Sequence, residues 1–450
     1  MGFIRDRRHN GVSVARLRPM AAVLATMAMG TAAGCSGSST RADSRPAIST
    51  VSTVSTASNT SNASNTSTAS TAGVSAVRLD GAVYGRPADG GTQVFAATEN
   101  NTVYALSPTD GSVKWSKHLA APFRPHGCGN IVPLGITGAP VYDPDSHLVY
   151  VVTEDPDAKH VLYGLAASDG HVVSQVEVDA PVGDRAFLQQ RPALTLWHGH
   201  VFAVFGGLAG DCGDYTGAVA SVDTATGSVH WFEASTSGRG GMWAPGAPGI
   251  GDDRLYFSIG NGNADKAGEP FDGTDSVVAL DENAQRVDLF APTSWAADNA
   301  NDADLGSMNP ALAAGHVIIA GKSGQGYLLD PEHLATTTPT TFPACAAFGA
   351  AAVDGDVVYL PCADGTRAFR ISAQPTALWH APKANGQPVL SNGRIWVTDW
   401  DDGELYALDP ATGATDRRFA VGTLPHFATP TVVGAKLFLG TTDGVAIVTP

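Results

Sequence analysis

From Val77 to the C-terminus the chain reads as short bursts of about four to eight residues, rich in Val, Tyr, Phe and Ala, separated by Gly, Asp, Asn and Pro. Within each burst the pattern has a period of two or is continuously apolar. Such runs predict half-buried or fully buried β-strands, and no long amphipathic helix interrupts them. The bursts come in groups of four. One unit runs from Gly81 to Leu119 ("GAVYGRP", "TQVFAATE", "NTVYALS", "SVKWSKHL"). Others start near Leu134, run from Arg191 to Ala234 and from Gly240 to Pro292, and start at Asp304, near Phe348 and near Gln387. The last begins at Leu424 and stops one strand short, after "GAKLFLG" and "DGVAIVTP".

A second regularity marks the first strand of each unit. A proline follows a variable residue at Arg86-Pro87, Ala139-Pro140, Arg191-Pro192, Ala247-Pro248, Asn309-Pro310, Gln387-Pro388 and Thr429-Pro430, and only the sixth unit lacks it. Proline cannot donate to a central ladder and is tolerated where a strand starts or lies at an edge. Four-stranded antiparallel units that cannot bury both faces alone, each with an edge strand at its start, predict radial stacking around an axis. The expected fold is therefore all-β: an eight-bladed β-propeller of four-stranded antiparallel blades. Its last blade is closed by the N-terminal strand "SAVRLDG" (Ser75–Gly81).

The N-terminus has another character. Arg5, Arg7, Arg8, Arg16 and Arg18 precede an apolar run from Met20 to Ala33 that meets "AAGC", which predicts a secretory signal over residues 1–34. Cys35 after Ala-Ala-Gly resembles the lipidated first residue of a bacterial lipoprotein, although Ala32 stands where leucine is usual. Residues 35–75 are almost wholly Ser, Thr, Ala and Asn, with too little apolar surface to fold. As a flexible coil this stretch would reach on the order of 35 Å, a tether for the domain at 76–450. The expected location is extracytoplasmic, lipid-anchored to a bacterial cell membrane.

Composition narrows the partners. The formal charge is -16, and removing the leader's five arginines and Asp6 leaves the mature chain near -20. Such a chain repels phosphate backbones, so nucleic-acid binding is excluded. Besides Cys35 there are four cysteines, an even number that in an exported chain predicts two disulfides among three possible pairings. Cys345 and Cys362 flank a hairpin turning at Asp354-Gly355 and are expected to pair across it. Cys128 and Cys212, both in Gly-rich loops, would then form the second bond.

The set Tyr104-Ala105-Leu106, Asp110-Gly111 and Trp115, echoed around Trp231, resembles the tryptophan-docking repeat of PQQ-like β-propellers. That fold is shared by quinoprotein alcohol dehydrogenases and the propeller lipoprotein of the outer-membrane β-barrel assembly machinery. The resemblance covers Val77 to Pro450. By this reading the fifth and sixth units lack the docking tryptophan, and Arg417 takes its place in the seventh.

Resemblance to the dehydrogenase branch implies a quinone platform at Trp243 ("GGMW"), a calcium ligand at Asn261 ("SIGNGNAD") and a catalytic carboxylate at Asp304 ("DLGSMNP"). A carboxylate base beside a metal-polarised carbonyl can take an alcohol proton during hydride transfer. Three features depart from that branch. "HGCGN" holds one cysteine where the dehydrogenases carry an adjacent pair, no glutamate ligand can be matched, and the long insertions that roof the cofactor are missing.

The variable residues before the prolines, with their neighbours, should ring one mouth of the channel: Arg86, Arg191, Trp243, Asn309, Gln387 and His426. Two cations, amides and aromatics suit a protein partner or a small polar ligand. The carboxylates of "DWDDGE" (Asp399–Glu404) lack calcium-loop spacing and read as a solvated turn. No GxSxG, HExxH or P-loop occurs. The expected function is a non-catalytic, membrane-tethered binding module with no cofactor. The alternatives are a PQQ- and calcium-dependent dehydrogenase and, by analogy of fold, an envelope assembly factor.

Overall fold

The structure, a computed structural model, describes residues 71–450. The expected signal segment, Cys35 and the expected tether as far as residue 70 lie outside the described residues. The described chain forms eight antiparallel sheets. Blade 1, for example, contains Ala88–Asp89, Val94–Ala97, Thr102–Leu106 and Val113–His118. In blade 8 the strands Thr431–Val433, Lys436–Thr441 and Gly444–Val448 are completed by Val74–Arg78 from the other end of the chain. Val74 faces Val448 and Arg78 faces Gly444. The closing strand thus starts one residue before the expected Ser75 and ends at Arg78, short of Gly81. Closure is sealed at the axis too, where the Thr431 hydroxyl donates to the Pro87 carbonyl, joining the inner strands of blades 8 and 1.

The core lies between blades. Along Val94–Ala97 all four residues are buried, because successive side chains enter different interfaces. Val94 and Ala96 meet Phe438 and Ile447 of blade 8, while Phe95 and Ala97 meet Val149 and Val151 of blade 2. A strand covered on both faces has no use for polar alternation, which is why the second strands read as unbroken apolar runs. Burying one such side chain stabilises by about 1.5–3 kcal/mol, so the stacking of blades is the main source of cohesion.

The repeated Ala and Trp of the motif are cross-strand partners. Ala105 pairs with Trp115, Ala220 with Trp231, Ala368 with Trp379 and Ala407 with Arg417. A small residue leaves the opposing indole free to lean onto the next blade. Trp115 Nε1 donates to the Ala167 carbonyl of blade 2 at 2.8 Å, and its ring lies where a Cβ on Gly170 would come within 2.6 Å. Gly170 also holds a φ of 76°, so that turn requires glycine on two counts.

One expectation is corrected here. Blade 6 does have a docking tryptophan: Trp379 Nε1 donates to the Pro410 carbonyl of blade 7 at 2.9 Å, with its ring over Gly413. The stretch Ile371–Pro375 lacks the turn glycine that precedes Trp115 and Trp231 (Gly111 and Gly227), so the motif was hidden while the register survived.

The disulfides join Cys128 to Cys212, with Cα atoms 6.1 Å apart, and Cys345 to Cys362, 5.7 Å apart. The first ties the loop after blade 1 to a loop of blade 3; the second spans the hairpin Ala352–Asp354/Val357–Cys362. Among the described residues no helix is long and apolar enough to cross a membrane.

Candidate ligand-binding site at the propeller axis

The residues before the inner-strand prolines form a ring around the axis, and they behave in two ways. On one side they turn sideways and bind the backbone. Asn309 is buried; its Oδ1 accepts from the Gly246 amide at 2.8 Å, and its Nδ2 donates to the carbonyls of Ala244 and Gly246. Gln387 Oε1 accepts from the Ala350 amide at 2.8 Å, and its Nε2 donates to the Thr429 hydroxyl at 2.6 Å. These amides stitch adjacent inner strands, which proline and short strands leave poor in ladder bonds.

On the other side the ring residues are Arg86 and Arg191, with Ala139 between them. Both arginines line an axial cavity of about 380 Å³ with Tyr84, Thr137, His426 and Phe427 at the same level. Neither guanidinium has a hydrogen bond or an ion pair among the described residues. Arg191 is held by rings, its guanidinium carbon 5.1 Å from the centroid of Phe427 and 5.9 Å from that of Tyr84. Loss of bulk solvent lowers the pKa of both arginines. Arg86 is open to the cavity yet surrounded by protein beyond it, so the surface it exposes faces the cavity's contents.

The carboxylate that acts electrostatically on Arg191 is Glu99, one of whose oxygens is committed elsewhere while Oε1 is buried without a partner. Its Oε2 accepts from the Gly135 amide at 2.7 Å and the Thr137 hydroxyl at 3.1 Å. Burial pushes its pKa up to about 7, against those two hydrogen bonds and Arg191. Burial thus works against its ionisation near neutral pH.

Of the six residues expected at the mouth, four line the cavity: Arg86, Arg191, Gln387 and His426. Asn309 is enclosed as a stitch, and Trp243 belongs to a second cluster. There Trp243 Nε1 donates to Asp304 Oδ2 at 3.3 Å, and Asp304 Oδ1 accepts from the Asn261 amide at 2.8 Å. The Asn261 side chain donates to Asp302 at 2.8 Å. Lys322, which sequence reasoning missed, closes the cluster. Its Nζ lies 2.6 Å from Asp302, 2.9 Å from Asp304 and 5.6 Å from the centroid of the Trp243 ring. Burial raises the Asp304 pKa while Lys322 opposes that; burial lowers Lys322, but the two carboxylates carry it above its usual range.

Tyr84, Glu99 and Phe427 were missed as well. Tyr84 and Phe427 stand within three residues of the proline marks, a usable signal, but Phe427 holds a φ of 64° that nothing local announces. Lys322 sits in "GKSGQG", and no local pattern tells that it reaches a carboxylate from the preceding loop.

A family model described as outer membrane protein assembly factor BamB matches residues 49–333. The polyvinylalcohol dehydrogenase of Sphingopyxis sp. (strain 113P3) is 23% identical over 449 aligned positions, covering 82% of this chain. The chain spans 65% of the length of that relative. Among solved structures, BamB from Moraxella catarrhalis matches with a TM-score of 0.56 at 19% identity, covering 83% of this chain and 95% of that one. The quinohemoprotein alcohol dehydrogenase from Comamonas testosteroni matches at 0.58 and 14%, covering 82% and 75%. At such identities the solved structures speak for the fold alone. Eight closed blades, the docking repeat and the matched family model together make this chain a member of the BamB-like family of PQQ-like β-propellers.

Proposed function

We propose that the protein is an extracytoplasmic, lipid-tethered binding propeller without catalytic activity, whose mouth loops engage a protein partner and whose axial cavity takes a polar ligand. Two disulfides favour an oxidising compartment. The basic leader, the "AAGC" junction and the Ser/Thr-rich stretch favour a lipid anchor at Cys35 with a tether behind it. The family supports a protein partner in the cell envelope.

The observation that carries the non-catalytic reading is the place of Lys322. A dehydrogenase of the PQQ and calcium type would use Trp243 as platform, Asn261 as ligand and Asp304 as base, and the structure does bring these three together. Asn261 Oδ1 is also buried without a partner, as a cation ligand would be. The rest of the donor set does not fit calcium, which takes six to eight oxygens. The two carboxylates already share one ammonium, and a dication between them would sit against that like charge. Among the described residues no three Asp, Glu, His or Cys side chains converge to hold a metal.

The test is titration of the purified protein with PQQ and calcium, followed by absorbance, thermal shift and dye reduction with alcohols. The expected result is no stoichiometric uptake and no dye reduction. Turnover abolished by Trp243→Ala would overturn the reading in favour of the dehydrogenase.

A further inference from the structure

We infer that the axial cavity is a binding site for a small organic acid, its carboxylate on Arg86 and Arg191 and its aliphatic body along the inner strands beyond them. This deepens the binding reading above by naming the ligand class of its cavity, and it rests on that reading.

Charge comes first. A cation withdrawn from bulk water without a counter-ion is costly, and folded proteins pair such groups or neutralise them. Arginine has too high a pKa to neutralise in practice. Among the described residues the cavity's two guanidiniums nevertheless have no hydrogen bond or ion pair; the nearby Glu99 accepts from Gly135 and Thr137 through Oε2, and its Oε1 is buried without a partner and pairs with neither arginine. An incoming carboxylate supplies what the chain withholds. Two guanidinium forks, one set between the Tyr84 and Phe427 rings, offer paired N–H donors to a planar anion.

Polarity changes along the axis. Two to three residues further down the inner strands the cavity is lined by Ile250, Leu312, Val353 and Val389. At about 3.3 Å per residue, this apolar level lies on the order of 7–10 Å from the arginine level. Ile250 is 52% exposed, an apolar side chain open to a cavity when the molecule has abundant interior to bury it in. One wall therefore wants an anion and the other wants hydrocarbon. The volume of about 380 Å³ lies within the range of small-ligand sites. The net negative chain repels anions at long range, so capture depends on these local contacts and favours a small ligand over an extended acidic polymer.

The experiment is calorimetric titration of the purified protein with hexanoate, octanoate, citrate, inorganic phosphate and an acidic peptide, repeated on Arg86→Gln and Arg191→Gln. Arg417→Gln, on the exposed outer strand of blade 7, is the charge-matched control, and circular dichroism checks folding. The expected result is saturable binding of octanoate or hexanoate, at least tenfold stronger than phosphate, weakened tenfold or more by either cavity variant and unchanged by the control. Preference for phosphate, citrate or the peptide would overturn the aliphatic-acid assignment. Binding untouched by both cavity variants, or no binding of any probe, would overturn the site. The quinone titration judges the parent reading separately, since a dehydrogenase would reveal itself there whatever the cavity binds.

Discussion

Two groups of charged residues sit near the same mouth of this propeller and are built on opposite principles. Around Trp243 each charge has a partner: Lys322 answers both Asp302 and Asp304, and Asp304 also receives the Asn261 amide and the Trp243 indole. On the other side Arg191 has the Tyr84 and Phe427 rings and Arg86 has open space, and among the described residues neither pairs with an anion. A network whose charges answer one another holds loops in place and leaves an anion little to gain, even with Asn261 Oδ1 unpartnered. An unsatisfied one offers affinity, chiefly at Arg191, whose desolvation cost has largely been met by the fold, while Arg86 stays open to the cavity. The difference separates a structural cluster from a candidate site more sharply than residue type does, since Trp243, Asn261 and Asp304 are the residues a resemblance would single out.

The largest test of that contrast is Lys322→Ala. Removing the shared cation leaves Asp304 buried beside Asp302 with no counter-charge, and stability should fall by about 2–4 kcal/mol, somewhat below the range for fully buried pairs because Asp302 is exposed. Urea denaturation measures it, and Lys322→Met combined with Asp304→Asn should recover much of the loss. If Lys322→Ala were neutral, the cluster would not be the closed network described.

Next in size is the pH dependence that Glu99 imposes. Its folded pKa of about 7 lies above the unfolded carboxylate value of 4.5, so the folded state binds more protons between those limits. Its contribution to stability is therefore lost as pH rises from about 4.5 through 7, by up to about 3 kcal/mol. Glu99→Gln should flatten the stability–pH curve in that window relative to the wild-type chain. An unchanged slope would show that Glu99 is ionised throughout and already serves Arg191 as counter-ion, which would weaken the case for an anion site.

Arg191→Met should do the reverse of Lys322→Ala. It removes an unpaired charge and keeps much of the side-chain volume between Tyr84 and Phe427, so stability should hold or rise by about 1 kcal/mol while carboxylate binding is lost. Denaturation and calorimetry on the same variant separate the two effects. A loss of more than about 2 kcal/mol would mean that Arg191 has a structural partner after all. Smallest of all, Arg86→Met should shift stability by no more than about 0.5 kcal/mol, since this side chain opens onto the cavity.

The legibility of the molecule follows from which interactions are local. Hairpin periodicity, Asp-Gly turns and the proline marks depend on neighbours in the chain, so blade number, strand order and the closing N-terminal strand could be read directly. Trp379 was missed because its turn chemistry differs from that of Trp115, although its partner Ala368 repeats the register of Ala105. The cavity ring was half legible. The prolines located Arg86, Arg191, Asn309 and Gln387 at equivalent places, but not which of them would reach sideways to a backbone amide and which would stand free. That choice depends on the neighbouring blade, where Gly246 and Ala350 offer amides to Asn309 and Gln387.

On its own, then, the amino-acid order determined a closed ring of eight antiparallel sheets and a level on the axis where special residues gather. Only the tertiary structure decided that Lys322 bridges Asp302 and Asp304, that Glu99 Oε2 turns to Gly135 and Thr137, and that among the described residues two arginines have no hydrogen bond or ion pair. The reason is physical: strand and turn preferences act over a few residues, whereas neutralising a charge takes a partner that radial stacking brings in from another loop or blade.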